Sequence, residues 1–300
     1  MRVFLTGATG FIGSRLLPEL LGAGHHVIGM TRSDAGARWL EHHGAEPHRG
    51  SLDAPESVAS GAARADAVIH TAFDHDDFSR FVENCEKDRR VIEAMAGALV
   101  GSDRPLIITS GTGLGGGSPG QVAVEGVFDR NHANPRVRSE IAGEEAARLG
   151  VSVGVVRLPQ VHDTVKQGLI SPAIEIARQK GLSAYVGDGA NRWPAAHVSD
   201  VVRLYRLALD HHEPGARWHA VAEEGITVRE IAEVVGKGLG VPVRSLTVDE
   251  ASVHFGWLGP FARFDMPASS AQTRDRLGWE PAGPGLIEDL TNMDFGSTAG

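Results

Sequence analysis

The segment Val3–Gly13, which reads VFLTGATGFIG, constrains the fold of this chain more than any other feature. An apolar run suited to a buried strand leads directly into three glycines spaced G-x-x-G-x-x-G, and an amphipathic helical pattern follows. Gly7 allows a sharp turn, Gly10 lets backbone N–H groups approach a pyrophosphate, and Gly13 lets the helix pack closely on the strand. The segment therefore predicts a strand–turn–helix unit that binds a dinucleotide.

The first half of the chain repeats this alternation of strand and helix. Short apolar or β-branched runs alternate with amphipathic stretches of helical length, which is typical of βαβ units and a parallel sheet. The predicted strands are Val3–Thr6, His26–Met30, Asp66–His70, Leu106–Thr109 and Val151–Arg157. The predicted helices begin near Phe11, Gly36, Ala54, Asp77 and Pro135. The pattern predicts the α/β class, with a doubly wound parallel sheet of the Rossmann type.

The alternation weakens after residue 157, where loops containing glycine and proline separate fewer helical patterns. We therefore predict a dinucleotide-binding domain over residues 1–157 and a smaller α/β substrate-binding lobe over residues 158–300. The segment 192–210 is expected to return to the large domain. Within the lobe, the spacing Thr227-x-x-Glu230 is a capping box and predicts the start of a helix.

Three local features carry narrower predictions. Pro18 lies inside the first helical pattern and is expected to bend that helix, because it removes a hydrogen bond. Asn134 is expected to cap a helix that has Pro135 as its first residue. The stretch Gly111–Gly120, GTGLGGGSPG, is expected to form a flexible connection at the carboxyl edge of the sheet, where ligands bind in such folds.

Composition restricts the partners and the compartment. The 300 residues are 42% hydrophobic and 22% charged, with a formal net charge of −9 and no block of five like charges. These figures favour a small-molecule substrate over a nucleic acid or an anionic membrane. The single Cys85 cannot close an intrachain disulfide and forms no zinc-binding pattern, so we expect a reducing cytoplasm and no metal site. The opening apolar stretch is too short for a signal peptide or a membrane span.

The segment TGATGFIG near the N-terminus resembles the extended branch of the short-chain dehydrogenase/reductase superfamily, the epimerase/dehydratase-like group. Later segments match the same group in order and cover nearly the whole chain. These segments are Gly50–Asp53, His70–Phe73, Thr109–Ser110, Leu158–His162 and Gly187–Asp200. The resemblance implies a set of cofactor-binding residues. They are Gly7, Thr9, Gly10, Phe11, Ile12, Gly13, Thr31, Arg32, Ser33, Ser51, Leu52, Thr71, Ala72, Phe73, Leu158, Pro159 and Val161.

The end of the second predicted strand bears on the choice of cofactor. Arg32 stands 22 positions after Gly10, where an acidic residue would bind the ribose 2′-hydroxyl of NAD. A guanidinium there suits a 2′-phosphate instead, and the hydroxyls of Thr31 and Ser33 add further donors. The segment predicts NADP(H), with NAD(H) as the alternative.

The resemblance breaks down at the expected active site. The superfamily uses a tyrosine with a lysine four positions later, but the two tyrosines here, Tyr185 and Tyr205, have no such lysine. The spacing places Arg136 and Glu140 where that pair belongs. The chain therefore resembles an atypical member of the group.

Other residues are candidates for the missing roles. By resemblance, Ser110 would hold a substrate carbonyl, and either His162 or Tyr185 would supply a proton. Each of the three has a purely structural role as its alternative. Ser110 would then belong to the turn at a strand end, His162 to a surface loop, and Tyr185 to an amphipathic wall of the lobe. Four further residues are candidates for contact with the substrate: Thr112, Lys166, Trp193 and His197.

These observations leave three functional hypotheses open. The first is an NADPH-dependent oxidoreductase that acts on a carbonyl or an activated double bond of a small organic substrate. That substrate would be apolar if the aromatic stretch His254–Phe264 lines its pocket. The second is an NADP(H)-binding sensor or scaffold without turnover, and the third is a nucleotide-sugar epimerase or dehydratase. By resemblance, helices near Asp88–Val100 and Pro135–Leu149 would pair across a two-fold axis in a homodimer.

Overall fold

The computed structural model describes residues 1–75, 80–116 and 120–296. The strands are β1 (Arg2–Thr6), β2 (His26–Thr31), β3 (Glu46–Arg49), β4 (Ala67–His70), β5 (Pro105–Gly111), β6 (Ser152–Leu158), β7 (Gln160–His162), β8 (Ser183–Val186), β9 (Arg192–His197), β10 (Arg217–His219), β11 (Glu223–Thr227) and β12 (Val243–Leu246). The α-helices are α1 (Gly13–Gly22), α2 (Asp34–His42), α3 (Pro55–Ala63), α4 (Phe81–Leu99), α5 (Val137–Arg148), α6 (Ile170–Lys180), α7 (Val198–Asp210), α8 (Val228–Leu239), α9 (Val248–Phe255), α10 (Gly259–Arg263), α11 (Ala271–Leu277) and α12 (Leu286–Asn292).

A seven-stranded parallel sheet forms the centre of the molecule, in the order β3-β2-β1-β4-β5-β6-β10. The predicted doubly wound α/β fold is confirmed. All five predicted strands are present within one or two residues of their predicted bounds. The two outermost strands, β3 and β10, were not predicted, because they are short and rich in polar residues.

Side chains alternate between the two faces of this sheet. On β1, Val3 and Leu5 pack with α1, α2 and α7, whereas Phe4 packs with α3, α4 and α5. Helices therefore cover both faces, and every strand of the parallel sheet points its carboxyl end at one common edge. That edge collects the loops that follow the strands.

Several local predictions differ from the structure. Helix α1 continues through Pro18, whose ring lies on the exposed side, while Leu16, Leu17 and Leu20 are buried. Helix α5 begins at Val137 rather than at Pro135. The Asn134 carboxamide oxygen instead accepts a hydrogen bond from the backbone N–H of Arg136 at 2.9 Å, in a turn before the helix.

The stretch Gly111–Gly120 is described except for residues 117–119. Its residues Thr112–Gly115 form a buried 3-10 helix rather than a flexible connection, and Gly115 packs tightly against Arg157 and His219. The helix start predicted at Asp77 lies outside the described residues.

The remaining elements form a smaller unit beside the sheet. It contains a three-stranded sheet, β11-β9-β7, and a two-stranded sheet, β12-β8, packed with α6, α8, α9, α10 and α12. The predicted capping box at Thr227 and Glu230 is present at the start of α8. Both α7 and Trp218 of β10 pack in the core of the large sheet, so chain beyond residue 157 completes that sheet. The predicted boundary at residue 157 remains a prediction.

None of the helices in the described part of the chain is long and apolar enough to cross a membrane.

Candidate cofactor and active site

The glycine turn between β1 and α1 has the shape that a pyrophosphate needs. Gly7 has a φ of +66°, and a Cβ there would lie 2.9 Å from the backbone nitrogen of Ala72. A Cβ on Gly13 would collide with the backbone carbonyl of Gly7. Only glycine at these two positions lets α1 start close against the turn and point its N-terminus at the sheet edge.

The turn also supplies backbone donors. Its internal bonds are from the Gly10 N–H to the Gly7 oxygen, at 2.8 Å, and from the Ser14 N–H to the Gly10 oxygen, at 2.9 Å. The N–H groups of Phe11 and Ile12 make no backbone hydrogen bond with any described residue. Two donors at a helix start, open to the edge of the sheet, fit a phosphate group.

The other predicted cofactor residues lie at the same edge. Thr31 ends β2 and is followed by Arg32 and Ser33, Ser51 and Leu52 follow β3, and Thr71–Phe73 follow β4. Leu158 ends β6, Pro159 follows it, and Val161 lies in the next strand, β7. Because the strands are parallel, these segments and the glycine turn line one continuous rim. The residues present therefore fit a dinucleotide laid along that rim.

Arg32 is a cation on this rim without a partner among the described residues. Its side chain is exposed and makes no hydrogen bond or ion pair with any described residue. The nearby acid, Asp34, is paired with Arg49 at the end of β3. The Ser33 hydroxyl oxygen accepts a hydrogen bond from the Gly36 N–H at 3.0 Å, and Thr31 is turned inward against Gly36. Arg32 is thus unopposed, while the two hydroxyls are partly committed elsewhere.

A buried polar chain runs from β1 to the start of α5. The His70 imidazole bonds the Thr6 hydroxyl at 2.7 Å through Nδ1 and the Asp88 carboxylate at 2.9 Å through Nε2. The other Asp88 oxygen accepts from the Ser139 hydroxyl at 2.6 Å and from the Arg136 guanidinium. The chain links the glycine turn to the carboxyl ends of β4 and β5.

The Asp88 carboxyl is kept ionised inside this chain. Complete burial alone would raise its pKa, but the Arg136 guanidinium and the bond from His70 outweigh burial and hold the pKa well below its usual range. Arg136 in turn lies over the Phe73 ring, with its Cζ atom 4.1 Å from the ring centroid, and donates to the Thr109 carbonyl oxygen at 2.9 Å. A fixed cation therefore stands between the loops that follow β4 and β5.

A second buried network surrounds Glu140, one turn further along α5. The Arg157 guanidinium donates to both Glu140 oxygens, at 2.7 and 2.8 Å, and Arg217 adds a third bond at 2.9 Å. The Ser110 hydroxyl donates to the same carboxylate at 2.5 Å. Burial acts to raise the pKa of Glu140, and the bonds from Arg157 overcome it and lower that pKa. All four groups are committed to one another inside the protein.

Comparison with known proteins identifies the family of this chain. The model of the NAD dependent epimerase/dehydratase family matches residues 3–221, which is most of the chain. This chain belongs to that family. The resemblance to the extended short-chain dehydrogenase/reductases is therefore confirmed, and the family consists in general of oxidoreductase and epimerase enzymes.

One relative and two solved structures illustrate the match. "Uncharacterized protein C2A9.02" of Schizosaccharomyces pombe is 43% identical over 293 residues, covering 97% of this chain and 99% of the relative. The dTDP-glucose 4,6-dehydratase DesIV of Streptomyces venezuelae, solved with NAD and TYD bound, superposes with a TM-score of 0.77 at 19% identity, covering 98% and 96% of the two chains. The human epimerase family protein SDR39U1, solved with NADPH, gives a TM-score of 0.74 at 21% identity, covering 98% and 99%.

Two of the predicted catalytic side chains of this epimerase-family chain lie away from solvent. Ser110 is 4% exposed and bonded to Glu140, and His162 is fully buried, with its Nδ1 atom 2.7 Å from an Asp289 oxygen. Burial lowers the pKa of His162, against the effect of Asp289. Tyr185 is half-buried in β8, where Arg229 lies over its ring. The structure does not bring these three side chains together, and their catalytic roles remain predictions.

Tyr205, the second tyrosine, is also inaccessible to a substrate in this structure. It is completely buried, and its hydroxyl oxygen is 2.6 Å from the Thr109 hydroxyl oxygen. Burial raises the pKa of the Tyr205 phenol far above its ordinary value. Tyr205 thus lies behind Thr109, the residue whose carbonyl oxygen accepts from Arg136, and its hydroxyl is enclosed by the protein.

The four residues predicted to contact the substrate lie in different environments. Trp193 is 2% exposed in the core of the smaller unit, and its indole N–H donates to the Phe264 carbonyl oxygen at 3.3 Å. His197 caps α7, its Nδ1 atom accepting from the Ser199 N–H. Thr112 is 4% exposed beside Leu158. Lys166 is exposed, with its Nζ atom 5.9 Å from the centroid of the Phe11 ring, above the glycine turn.

Sequence reasoning missed Asp88 and His70 as parts of the site. The signal for Asp88 was present: a carboxylate interrupts the apolar stripe of α4, between Cys85 and Val91. An acidic side chain on the buried face of an amphipathic helix needs a buried partner. That partner, Arg136, was already noted for its position in the sequence.

Proposed function

We propose that this chain binds NADP(H) along the carboxyl edge of its sheet and transfers hydride between the nicotinamide and a small organic substrate. The reacting group would be a carbonyl or an activated double bond. The single observation that carries the proposal is Arg32, a free guanidinium at the end of β2 whose acidic neighbour Asp34 is already paired with Arg49. An unopposed guanidinium recognises a 2′-phosphate, which distinguishes NADP(H) from NAD(H).

The residues of the rim divide the work of binding. The backbone donors of Phe11 and Ile12 would hold the pyrophosphate, and Arg32 the 2′-phosphate. Phe73, Leu158 and Pro159 would flank the nicotinamide ring, which supplies or accepts a hydride when it is bound. The NADPH named for the human epimerase family protein supports NADP(H) as a cofactor that this fold accommodates.

A fluorescence titration with NADPH and with NADH tests the proposed cofactor. Arg32→Ala is expected to weaken NADPH binding at least tenfold and to leave NADH binding unchanged, because only NADPH has the 2′-phosphate. Arg38→Ala is the matched control, since Arg38 lies on α2, the helix that begins two residues after Arg32, and is also exposed. Equal loss in the two variants, or equal wild-type affinity for the two dinucleotides, would remove the NADP(H) assignment.

A second function is favoured by a specific observation. Ser110 and His162, the side chains expected to hold the carbonyl and to move a proton, are both buried and bonded to carboxylates. A protein that senses NADP(H) without turnover would show this arrangement. The two proposals differ in one result: the sensor binds NADPH but does not oxidise it, whichever carbonyl compound is added.

A nucleotide-sugar epimerase is less well supported. That reaction needs a base that removes a hydroxyl proton and returns it, and the residue at the tyrosine position is Arg136, whose guanidinium has donors and no acceptor. We also propose the cytoplasm as the compartment. The only cysteine, Cys85, is a buried free thiol, and burial raises its pKa to about 11.

A further inference from the structure

We propose that Arg136 is the residue that contacts the substrate carbonyl oxygen, acting as a fixed cation in place of a proton-donating tyrosine. This inference rests on the proposed oxidoreductase function and names its electrophilic group. It also defines the substrate class, which must present a carbonyl oxygen that becomes negatively charged during the reaction.

The hydrogen bonds of Arg136 leave donors available. A guanidinium has five N–H groups. Nη1 donates to Asp88 and Ser139, and Nη2 donates to the Thr109 carbonyl oxygen at 2.9 Å. The N–H of Nε and one N–H of Nη2 have no acceptor among the described residues. The side chain retains 12% exposure, so these donors are not sealed inside the protein.

The side chain is also held in place by two contacts. Asp88 fixes one end of the guanidinium, and Phe73 covers one of its faces, 4.1 Å away. Asp88 is itself held by His70, whose other nitrogen bonds Thr6 at the base of the glycine turn. A cation whose orientation is fixed before the reaction stabilises a developing negative charge without reorganisation cost.

The neighbouring Glu140 cannot take this role. Its two oxygens receive bonds from Arg157, Arg217 and Ser110, and the carboxylate is almost completely buried. Glu140 neutralises Arg157 and Arg217, whereas Arg136 contacts Phe73. The two residues that replace the family pair are therefore used differently: Arg136 faces the rim, and Glu140 holds the interior together.

The chemistry balances without a protein acid. A hydride from the reduced nicotinamide of NADPH bonds to the carbonyl carbon, and the electron pair of the C=O π bond moves to oxygen. The Arg136 donors stabilise that oxygen, which then takes a proton from water to give the alcohol and hydroxide, and NADP⁺ remains. Arg136 acts only as a hydrogen-bond donor in this step and transfers no proton.

Kinetics of variants test the proposal. Aromatic and aliphatic ketones and 9,10-phenanthrenequinone serve as probes, with NADPH as reductant. Arg136→Lys keeps the charge beside Asp88 but lacks the planar fork, and it is expected to lower kcat about 10²-fold with NADPH affinity within twofold of wild type. Guanidinium chloride at millimolar concentration should restore part of the activity of Arg136→Ala. Arg138→Gln, an exposed neighbour on α5, is the control and should keep wild-type kinetics.

A measurement without turnover separates this proposal from the proposed function. The ¹H–¹⁵N resonance of the Arg136 Nε–H, assigned by its loss in Arg136→Lys, is followed as sodium formate is added to the wild-type protein. A shift that saturates at millimolar formate, and not with sodium chloride, is expected for a site that binds an oxyanion. A shift equal to that in chloride would overturn the role of Arg136, even if NADPH binds. If formate binds but no carbonyl is reduced, the proposed reaction fails and the anion site stands.

Discussion

At the scale of single residues, Asp88 is the group that connects the other polar side chains of the candidate site. It is a carboxylate on the buried face of α4, and it bonds His70, Ser139 and Arg136 at once. Its charge is compensated mainly by Arg136, so each residue of the pair keeps the other ionised in the interior. Removing one partner would leave an uncompensated buried charge, which costs far more than an exposed ion pair contributes.

Asp88→Ala is therefore expected to lower the free energy of unfolding by about 3 kcal/mol, as measured by urea denaturation. The matched control is Glu233→Ala, which removes the exposed pair with Arg229 on α8 and should cost less than about 1 kcal/mol. The double variant Asp88→Asn with Arg136→Gln removes both charges and should recover part of the loss. A loss at Asp88 no larger than at Glu233 would contradict the account of the buried pair.

Single residues also differ in whether their place in the site could be predicted from the sequence. The rim residues were predicted from the family resemblance, and the fold accounts for their common position, because a parallel sheet brings every loop after a strand to one edge. Ser110 and His162 depended on which way a side chain points at the end of a strand. Ser110 turns toward Glu140 and His162 toward Asp289, and both partners are distant in the sequence. No local pattern encodes such a contact.

At the scale of elements, the strands that were predicted are those with a continuous apolar run. The edge strand β3 reads Glu-Pro-His-Arg, and it is a strand because Thr31 and its neighbours on β2 offer it a ladder. Strand β10 is three residues long and is placed by its pairing with β6. Tertiary pairing, not local propensity, makes both of them strands.

The first helix carries the prediction that belongs to this scale. Gly13→Ala is expected to destabilise the protein by roughly 2 kcal/mol and to weaken NADPH binding at least tenfold, because the added Cβ meets the Gly7 carbonyl and pushes α1 off the turn. Gly22→Ala is the control at the other end of α1, where a Cβ meets nothing within 4 Å. It should leave binding unchanged and not destabilise the helix. Wild-type NADPH affinity in Gly13→Ala would contradict the role of the turn.

At the scale of the whole molecule, the large sheet and the smaller unit are interwoven, since α7 and β10 return to the core of the sheet. The return of the whole segment 192–210 to the large domain stays a prediction, whereas the strand Arg217–His219 at the edge of the large sheet was not predicted. We propose, from the family resemblance, that α4 and α5 pair with a second copy of the chain. The outer side of α4 there carries the ion pairs of Arg89 with Glu86 and Glu93, so such an interface would be charged.

The central claim is hydride transfer from NADPH to a carbonyl, and NADPH doubly deuterated at C4 of the nicotinamide tests it most directly. The wild-type protein is incubated with this cofactor and the carbonyl probes, and the products are examined by mass spectrometry. The account predicts an alcohol that carries one deuterium on the former carbonyl carbon. Tight NADPH binding with no deuterium in any product would contradict the oxidoreductase and leave the NADP(H) sensor in its place.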